Sequence, residues 1–194
     1  GDQAGALSGS PYIYVGGTAQ VGGETEVANN TTLFGFEAGS IFGIGNGKTG
    51  ESGIGTADNS YIIINDSARI LRNVYGGGNF GAVGINSSAS TSNTRIDILG
   101  GTIEGSVFGG GNKNGSGSTS KTSTITINKV SGTVNGSIYG GANETGTIYG
   151  SVNINDLGGL IENDIYGGGY GGRSGSNAGT FVRDKINIII PIIS

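Results

Sequence analysis

The sequence predicts an all-β protein, specifically a right-handed parallel β-solenoid (β-helix) of about five coils of 27–33 residues. Three observations support this prediction. Glycine accounts for 43 of the 194 residues, and the hydrophobic residues are mostly Ile, Val, Leu and Tyr, which favour strands. An aromatic residue followed by a glycine turn recurs along the chain. Stretches of alternating apolar and polar residues lie upstream, as expected for strands with one buried face.

The composition excludes several classes of function. The net charge is −4 and the 10 Lys and Arg residues are scattered, so nothing indicates a nucleic-acid partner. Cysteine and histidine are absent, which removes disulfides, thiolate metal sites and the commonest general base, and no cofactor is expected. The apolar stretch 186–194 predicts a strand and no membrane insertion, because a bilayer span needs about 20 residues. A start without Met or a secretory signal suggests a processed product or an excised fragment.

Each repeat is anchored on one aromatic residue. The aligned segments are SIFGIGN (40–46), NVYGGGN (73–79), SVFGGGN (106–112), SIYGGAN (137–143) and DIYGGGY (164–170). The anchors are separated by 33, 33, 31 and 27 residues, and they are Phe42, Tyr75, Phe108, Tyr139 and Tyr166. A recurrence of this length is typical of stacked repeat architectures.

Other positions keep their chemistry from repeat to repeat. The residue before the anchor is aliphatic: Ile41, Val74, Val107, Ile138 or Ile165. The residue five places before it is Ile70, Ile103, Val134 or Ile161, with Glu37 breaking the rule in the first repeat. Alternating strands are predicted at 61–65, 95–99, 124–128, 151–155 and 186–190. The segments 80–93, 113–123 and 144–150 absorb the changes in repeat length, and the first two have the composition of surface loops.

In a parallel solenoid, each strand pairs with its equivalent one coil away, at about 4.8 Å, so equivalent side chains form ladders. The fourth residue after the anchor therefore predicts a structural ladder of Asn46, Asn79, Asn112 and Asn143, with Tyr170 replacing asparagine in the last repeat. The glycines fit stacked corners that require positive φ and leave no room for a Cβ atom. A β-sandwich or propeller is the alternative architecture.

The predicted organisation has three parts. Residues 1–39 form an N-terminal cap or an irregular first coil: YIYVGG (12–17) resembles a first strand, but 49 residues separate Ile13 from its next equivalent, Ile62. Residues 40–190 form the solenoid repeats. Residues 191–194 form the C-terminal edge, where Pro191 blunts the strand because it has no amide to donate.

Two segments, GGTIEGSVFGGGN (100–112) and SGTVNGSIYGGAN (131–143), carry a family resemblance. They resemble the glycine-rich β-strand repeats of very large, adhesin-like bacterial cell-surface proteins, over roughly residues 40 to 190. The resemblance implies a non-enzymatic structural or adhesive parallel β-helix with an extracellular or cell-surface location. No catalytic residues are assigned to such repeats, so none is carried over to this chain.

The aromatic anchors are the candidate binding residues. In an extended strand, the anchor points to the face opposite the aliphatic residue before it. With the aliphatic residues inside, the five anchors form an exposed strip that suits surface glycans or lateral contact with a neighbouring protein. Alternatively, a corner three residues before the anchor, at Gly105 or Gly136, breaks the alternation, and both columns line the core.

A carbohydrate-binding or polysaccharide-cleaving β-helix, a lyase or hydrolase, is the alternative function. Cleavage requires carboxylates that converge on one face. The nearest acidic pairs are Glu24 with Glu26 and Asp156 with Asp164. Stacked coils also offer acids near strand ends, with arginines as ion-pair partners across coils: Asp66, Asp97 and Asp156, and Arg69, Arg72 and Arg95. We assign no catalytic residue and no metal ligand.

The last predicted strand provides a candidate assembly edge at Ile186, Ile188 and Ile190. A solenoid exposes unpaired strand edges at its terminal coils, and these edges need a partner. The partner is either a neighbouring repeat of a larger protein or a second copy bound head to tail in a filament.

Overall fold

The computed structural model describes residues 9–28, 32–33, 36–47, 57–81, 83, 92–112, 124–171 and 180–191. Within them the chain forms many short strands and one short helix. In chain order, the elements are β1 (Tyr12–Val15), β2 (Gln20–Val21), α1 (Glu24–Ala28), β3 (Thr32–Leu33), β4 (Phe36–Glu37), β5 (Ile41–Phe42), β6 (Ser60–Ile64), β7 (Arg69–Ile70), β8 (Val74–Tyr75), β9 (Asn93–Ile98), β10 (Thr102–Ile103), β11 (Val107–Phe108), β12 (Thr124–Lys129), β13 (Thr133–Val134), β14 (Ile138–Tyr139), β15 (Gly146–Ile148), β16 (Val152–Asp156), β17 (Leu160–Ile161), β18 (Ile165–Tyr166), β19 (Thr180–Val182) and β20 (Ile186–Ile189).

Three parallel sheets contain most of these strands. Sheet I has the order β1-β6-β9-β12-β16-β20, sheet II β2-β7-β10-β13-β17, and sheet III β5-β8-β11-β14-β18. The chain visits the sheets in the same sequence in successive repeats, and each strand pairs with its equivalent in the next repeat. The prediction of an all-β chain with parallel pairing between repeats is confirmed, and the topology is compatible with a parallel β-helix.

The register places equivalent aliphatic side chains in files. Across sheet I, Ile62, Ile96, Ile127 and Ile154 are successive Cα partners, and all four are fully buried. Aliphatic residues of sheets II and III complete the same core cluster. Each fully buried aliphatic side chain of this kind contributes about 1.5–3 kcal/mol relative to an exposed one. The core therefore lies between the three sheets and runs through successive repeats.

The first repeat departs from the others between its second and third strands. Val21, and not Glu37, is the Cα partner of Ile70, so Val21 occupies the aliphatic position that the sequence spacing assigned to Glu37. The helix α1 and the antiparallel pair β3–β4 lie between β2 and β5. Residues 22–40 are therefore an insertion into a repeat whose strands β1, β2 and β5 join the three sheets. The boundary at residue 39 stays a prediction.

One length-absorbing segment contains a strand that the sequence did not predict. Strand β15 lies within 144–150 and pairs in parallel with β19. Ile148 is fully buried in the main core cluster. The predicted loop at 113–123 falls outside the described residues. So does the predicted loop at 80–93, apart from residues 80, 81, 83, 92 and 93.

The glycines serve two different purposes. Gly101, Gly132 and Gly159, in the turns between sheets I and II, have φ of 76°, 77° and 83°. The described glycines one to three places after an anchor do not have positive φ, so the expectation of positive φ at those corners is wrong. They are required for space: a Cβ atom on Gly141 would lie 2.7 Å from the backbone nitrogen of Gly169 in the next repeat.

Candidate functional site

The five aromatic anchors lie in one file along sheet III. Successive ring centroids are 4.9, 5.0, 4.9 and 4.9 Å apart, with interplanar angles of 3–10°. The Cα register of sheet III imposes this spacing, because each anchor is the direct partner of the next. We call the file of Phe42, Tyr75, Phe108, Tyr139 and Tyr166 the aromatic column.

The aromatic column faces away from the main core, but its middle is covered. The aliphatic residues preceding the anchors belong to the core cluster, and the anchors do not. Tyr75 is fully buried and Phe108 is 4% exposed, whereas Tyr166 is 45% exposed. The column is therefore neither an exposed strip along its length nor a part of the main core. Its accessible end comprises Tyr166 and Tyr170, whose ring packs edge-on against Tyr139 at 5.7 Å.

An amide ladder runs beside the aromatic column, at the positions that the repeat indicated. Each asparagine donates its Nδ2 hydrogen to the Oδ1 of the preceding repeat: Asn79 to Asn46 at 3.1 Å, Asn112 to Asn79 at 2.8 Å, and Asn143 to Asn112 at 2.7 Å. Asn79 and Asn112 are buried. Because a buried amide needs partners for its donor and its acceptor, this ladder fixes the repeats to one another.

We expect Asn112→Ala to lower the free energy of unfolding by about 2 kcal/mol, because it leaves the buried Asn79 Oδ1 and the half-buried Asn143 Nδ2 without their partner. Urea unfolding followed by circular dichroism measures the change. The matched control is Asn187→Ala, which removes an exposed side-chain hydrogen bond of 2.8 Å to Asn153. This variant should change the free energy of unfolding by less than about 0.5 kcal/mol. Equal losses in both variants would contradict the structural importance of the buried ladder.

A second polar ladder lies two residues before each anchor. There a side-chain oxygen accepts a hydrogen bond from the backbone N–H of the equivalent residue in the next repeat. The N–H of Ser106 donates to Asn73 Oδ1 at 2.8 Å, and the N–H of Ser137 donates to Ser106 Oγ at 3.1 Å. Ser40 and Ser137 make the same bond to the N–H groups of Asn73 and Asp164. The sequence analysis missed this ladder, although the aligned motifs carry its signal in their first letters, S, N, S, S and D.

Asp97 is the most enclosed carboxylate among the predicted acids, with its side chain 6% exposed. It accepts hydrogen bonds from Arg95 Nε at 3.0 Å, from Asn128 Nδ2 at 2.7 Å and from the Tyr61 hydroxyl. Burial raises the pKa of Asp97, but these hydrogen bonds outweigh it and hold the pKa below its ordinary value. The bond to Asp97 in turn raises the pKa of Tyr61. Asp97 is therefore an ionised acceptor and not a proton donor.

The other acids do not converge with Asp97. Asp66 Oδ2 accepts the backbone N–H of Gly17 at 2.8 Å, in a turn where Asp66 itself has φ 57°. Asp156 is the Cα partner of Lys129, in a different file from the Asp97–Asn128 pair. Stacking therefore does not place Asp97 and Asp156 in one file.

The arginines also pair differently from the prediction. Arg69 bonds to Glu24 and, at 2.7 Å, to Glu104, and the Arg95–Asp97 pair lies within one strand. Arg72 donates to the carbonyl of Val27 at 3.0 Å. The contacts of Arg69 with Glu24 and of Arg72 with Val27 fasten the inserted segment of the first repeat to the next repeat, because Glu24 and Val27 belong to α1.

The predicted assembly edge lies at one side of sheet I. Ile186 and Ile188 belong to β20 and are 46% and 41% exposed, and Ile190 follows the strand at 61%. Ile189, which the sequence analysis did not single out, is 54% exposed. The edge is therefore an isoleucine-rich strand in which Asn187 is the polar residue.

Within the described ranges, no three acidic, histidine or cysteine side chains are grouped as metal ligands, and no helix is long and apolar enough to cross a membrane. Searches of the chain against protein-family models, curated proteins and solved structures found no match.

Proposed function

We propose that the chain forms a right-handed parallel β-solenoid and acts as a non-enzymatic structural or adhesive module. The observation that carries this proposal is the recurrence of one set of contacts between successive repeats. The backbone N–H that follows an anchor donates a hydrogen bond to the carbonyl of the next anchor. The bonds run from Gly76 to Phe108 at 2.8 Å, from Gly109 to Tyr139 at 2.9 Å and from Gly140 to Tyr166 at 2.8 Å. Such uniform stacking suits a rigid scaffold with a repetitive surface.

Right-handedness is supported by the general rule for parallel strands joined by crossover connections within one sheet, which are right-handed in about 98% of cases. An extracellular or cell-surface location rests on the resemblance to glycine-rich bacterial surface repeats. The partners of the module are neighbouring repeats of a larger protein or further copies of this chain.

Head-to-tail assembly is supported by the isoleucine-rich edge strand β20, since an exposed strand edge is a template for another strand. We expect light scattering of the purified chain to grow with concentration and electron microscopy to reveal filaments. Ile188→Lys should abolish this growth, because it places a charge in the file of core residues that continues Ile154. The control Asn187→Lys alters the neighbouring residue, in the file of Asn153 on the opposite face, and should retain the growth. A monodisperse wild-type monomer at every concentration would remove the filament from the proposal.

Glycan binding is the second candidate, favoured by the exposed rings of Tyr166 and Tyr170 at one end of the aromatic column. Tyr166 donates its hydroxyl hydrogen to Asp164 at 2.9 Å, which places a carboxylate beside an accessible ring. Binding to acidic and neutral polysaccharides, with and without Ca²⁺, separates the two functions. The structural proposal expects no tight binding. Binding that is lost in Tyr166→Ala and retained in Tyr12→Ala, an exposed tyrosine of sheet I, would replace it with glycan binding, and release of shortened sugars would indicate an enzyme.

A further inference from the structure

Lys129 interrupts a file of core residues that the two preceding repeats fill with isoleucine. It is the Cα partner of Ile98, which is in turn the partner of Ile64, and both isoleucines are fully buried. Lys129 occupies the same inward position and is also fully buried. A lysine in such a site is rare unless it has a specific partner.

The partner is Asp156, in the next repeat. Asp156 is paired in register with Lys129, and its Oδ1 lies 3.6 Å from Lys129 Nζ. Oδ1 is buried and has no hydrogen-bond partner, since 3.6 Å exceeds hydrogen-bond distance. A buried carboxylate oxygen without a hydrogen bond beside a buried amine calls for an explanation beyond a structural ion pair.

The surrounding backbone prepares the amine. Lys129 Nζ donates a hydrogen bond to the carbonyl of Gly158, which directs one N–H away from Asp156. A Cβ atom at Gly159 would lie 2.7 Å from Nζ, so glycine at that position leaves space for the amine. Burial lowers the pKa of Lys129, and the nearby Asp156 offsets part of this effect. The lowered pKa favours the neutral, nucleophilic amine.

We propose that Lys129 and Asp156 condense to form an intramolecular isopeptide bond between the two repeats. The ammonium transfers a proton to the carboxylate within the pair, giving a neutral amine and a neutral carboxylic acid. Nζ then attacks Cγ, the Cγ–OH bond breaks, and one proton from nitrogen leaves with the hydroxyl as water. The product is a secondary amide, and no oxidant, metal or other reactant is consumed.

The burial of Lys129 and of Asp156 Oδ1 favours this condensation over the reverse hydrolysis. Water is excluded from Lys129, and the register of β12 and β16 holds the reacting groups side by side, which replaces a bimolecular encounter with a local one. The amide removes a buried ion pair from the core and cross-links neighbouring strands, so we expect the linked form to unfold at a higher temperature than an unlinked one.

Mass spectrometry of the denatured full chain tests the proposal, because a covalent link survives unfolding. We expect the folded, purified protein to weigh one water molecule less than its sequence. Digestion after glutamate should yield a branched species joining 105–144, which contains Lys129, to 145–162, in which Asp156 is the only aspartate. Fragmentation should place the branch at Lys129.

The variants Lys129→Met and Asp156→Ala should restore the full sequence mass, whereas Lys185→Met, which alters an exposed lysine, should retain the loss of water. Asp156→Asn provides an independent readout, since condensation with an amide releases ammonia and changes the mass difference accordingly. Wild-type protein with a native β-sheet circular dichroism spectrum and the full sequence mass, after prolonged incubation in the folded state, would overturn the proposal.

Discussion

Gly141→Ala should lower the free energy of unfolding by about 3 kcal/mol, at the upper end for overpacking a close contact. Its Cβ atom would lie 2.7 Å from the nitrogen and 3.0 Å from the Cα of Gly169 in the next repeat. Both atoms belong to backbone, and the Gly141 amide also donates to the carbonyl of Gly168 at 3.0 Å, so relief requires the repeats to separate. Urea denaturation followed by circular dichroism measures the loss.

Gly168→Ala is the matched control, because Gly168 occupies the same position of the following repeat and its Cβ atom would meet nothing within 4 Å. We expect a change of at most about 0.5 kcal/mol, and a small gain is consistent with the reduced freedom of the unfolded chain. Neither glycine has positive φ, so the comparison isolates space from backbone conformation. Similar losses at the two positions would refute the argument that stacking demands these glycines.

The periodic part of the fold was accessible from sequence because stacking repeats the same environment. Once Tyr75 and Phe108 were aligned, the residues before and after them had to align as well, and the register of sheet III follows directly. The asparagine positions follow from the same alignment, since a one-residue slip would bring Asn79 against Gly111 or Lys113 instead of Asn112. Alignment therefore predicts partners wherever one repeat copies another.

Alignment of the repeats predicts the wrong partner where one repeat departs from its neighbours. Counting back from Phe42 leads to Glu37, because an insertion moves the true equivalent to Val21. Strand β15 was missed because its segment has no counterpart of matching length in the preceding repeats. The Lys129–Asp156 pair lies at strand ends, and only the register places the two residues in one file.

Alternation also specifies which face of a sheet a residue occupies without specifying what covers that face. The position of Tyr75 after Val74 places the ring opposite the core, as the alternation predicts. The further step to an exposed ring does not follow, since Tyr75 is fully buried. The middle of the aromatic column is thus a packing element, whereas its end at Tyr166 is exposed.

Tyr75→Ala should destabilise the protein by about 4 kcal/mol, within the range for truncating a fully buried aromatic side chain. The ring stacks on Phe42 at 4.9 Å and on Phe108 at 5.0 Å, so its removal leaves a cavity and two uncovered ring faces. Tyr75→Phe should cost at most about 1 kcal/mol, because it loses only the hydroxyl that accepts from Asn73 at 3.0 Å. Chemical denaturation of the three proteins provides the comparison.

Tyr166→Ala is the corresponding change at the exposed end of the column, where the ring stacks on Tyr139 alone among the anchors. We expect a loss of about 1 kcal/mol, consistent with one aromatic contact on a half-exposed side chain. The contrast between Tyr75 and Tyr166 separates packing from binding: a residue kept for glycan contact matters to affinity more than to stability. If Tyr166→Ala destabilised the chain as much as Tyr75→Ala, the open end of the column would be a packing element too, and glycan binding there would lose its structural support.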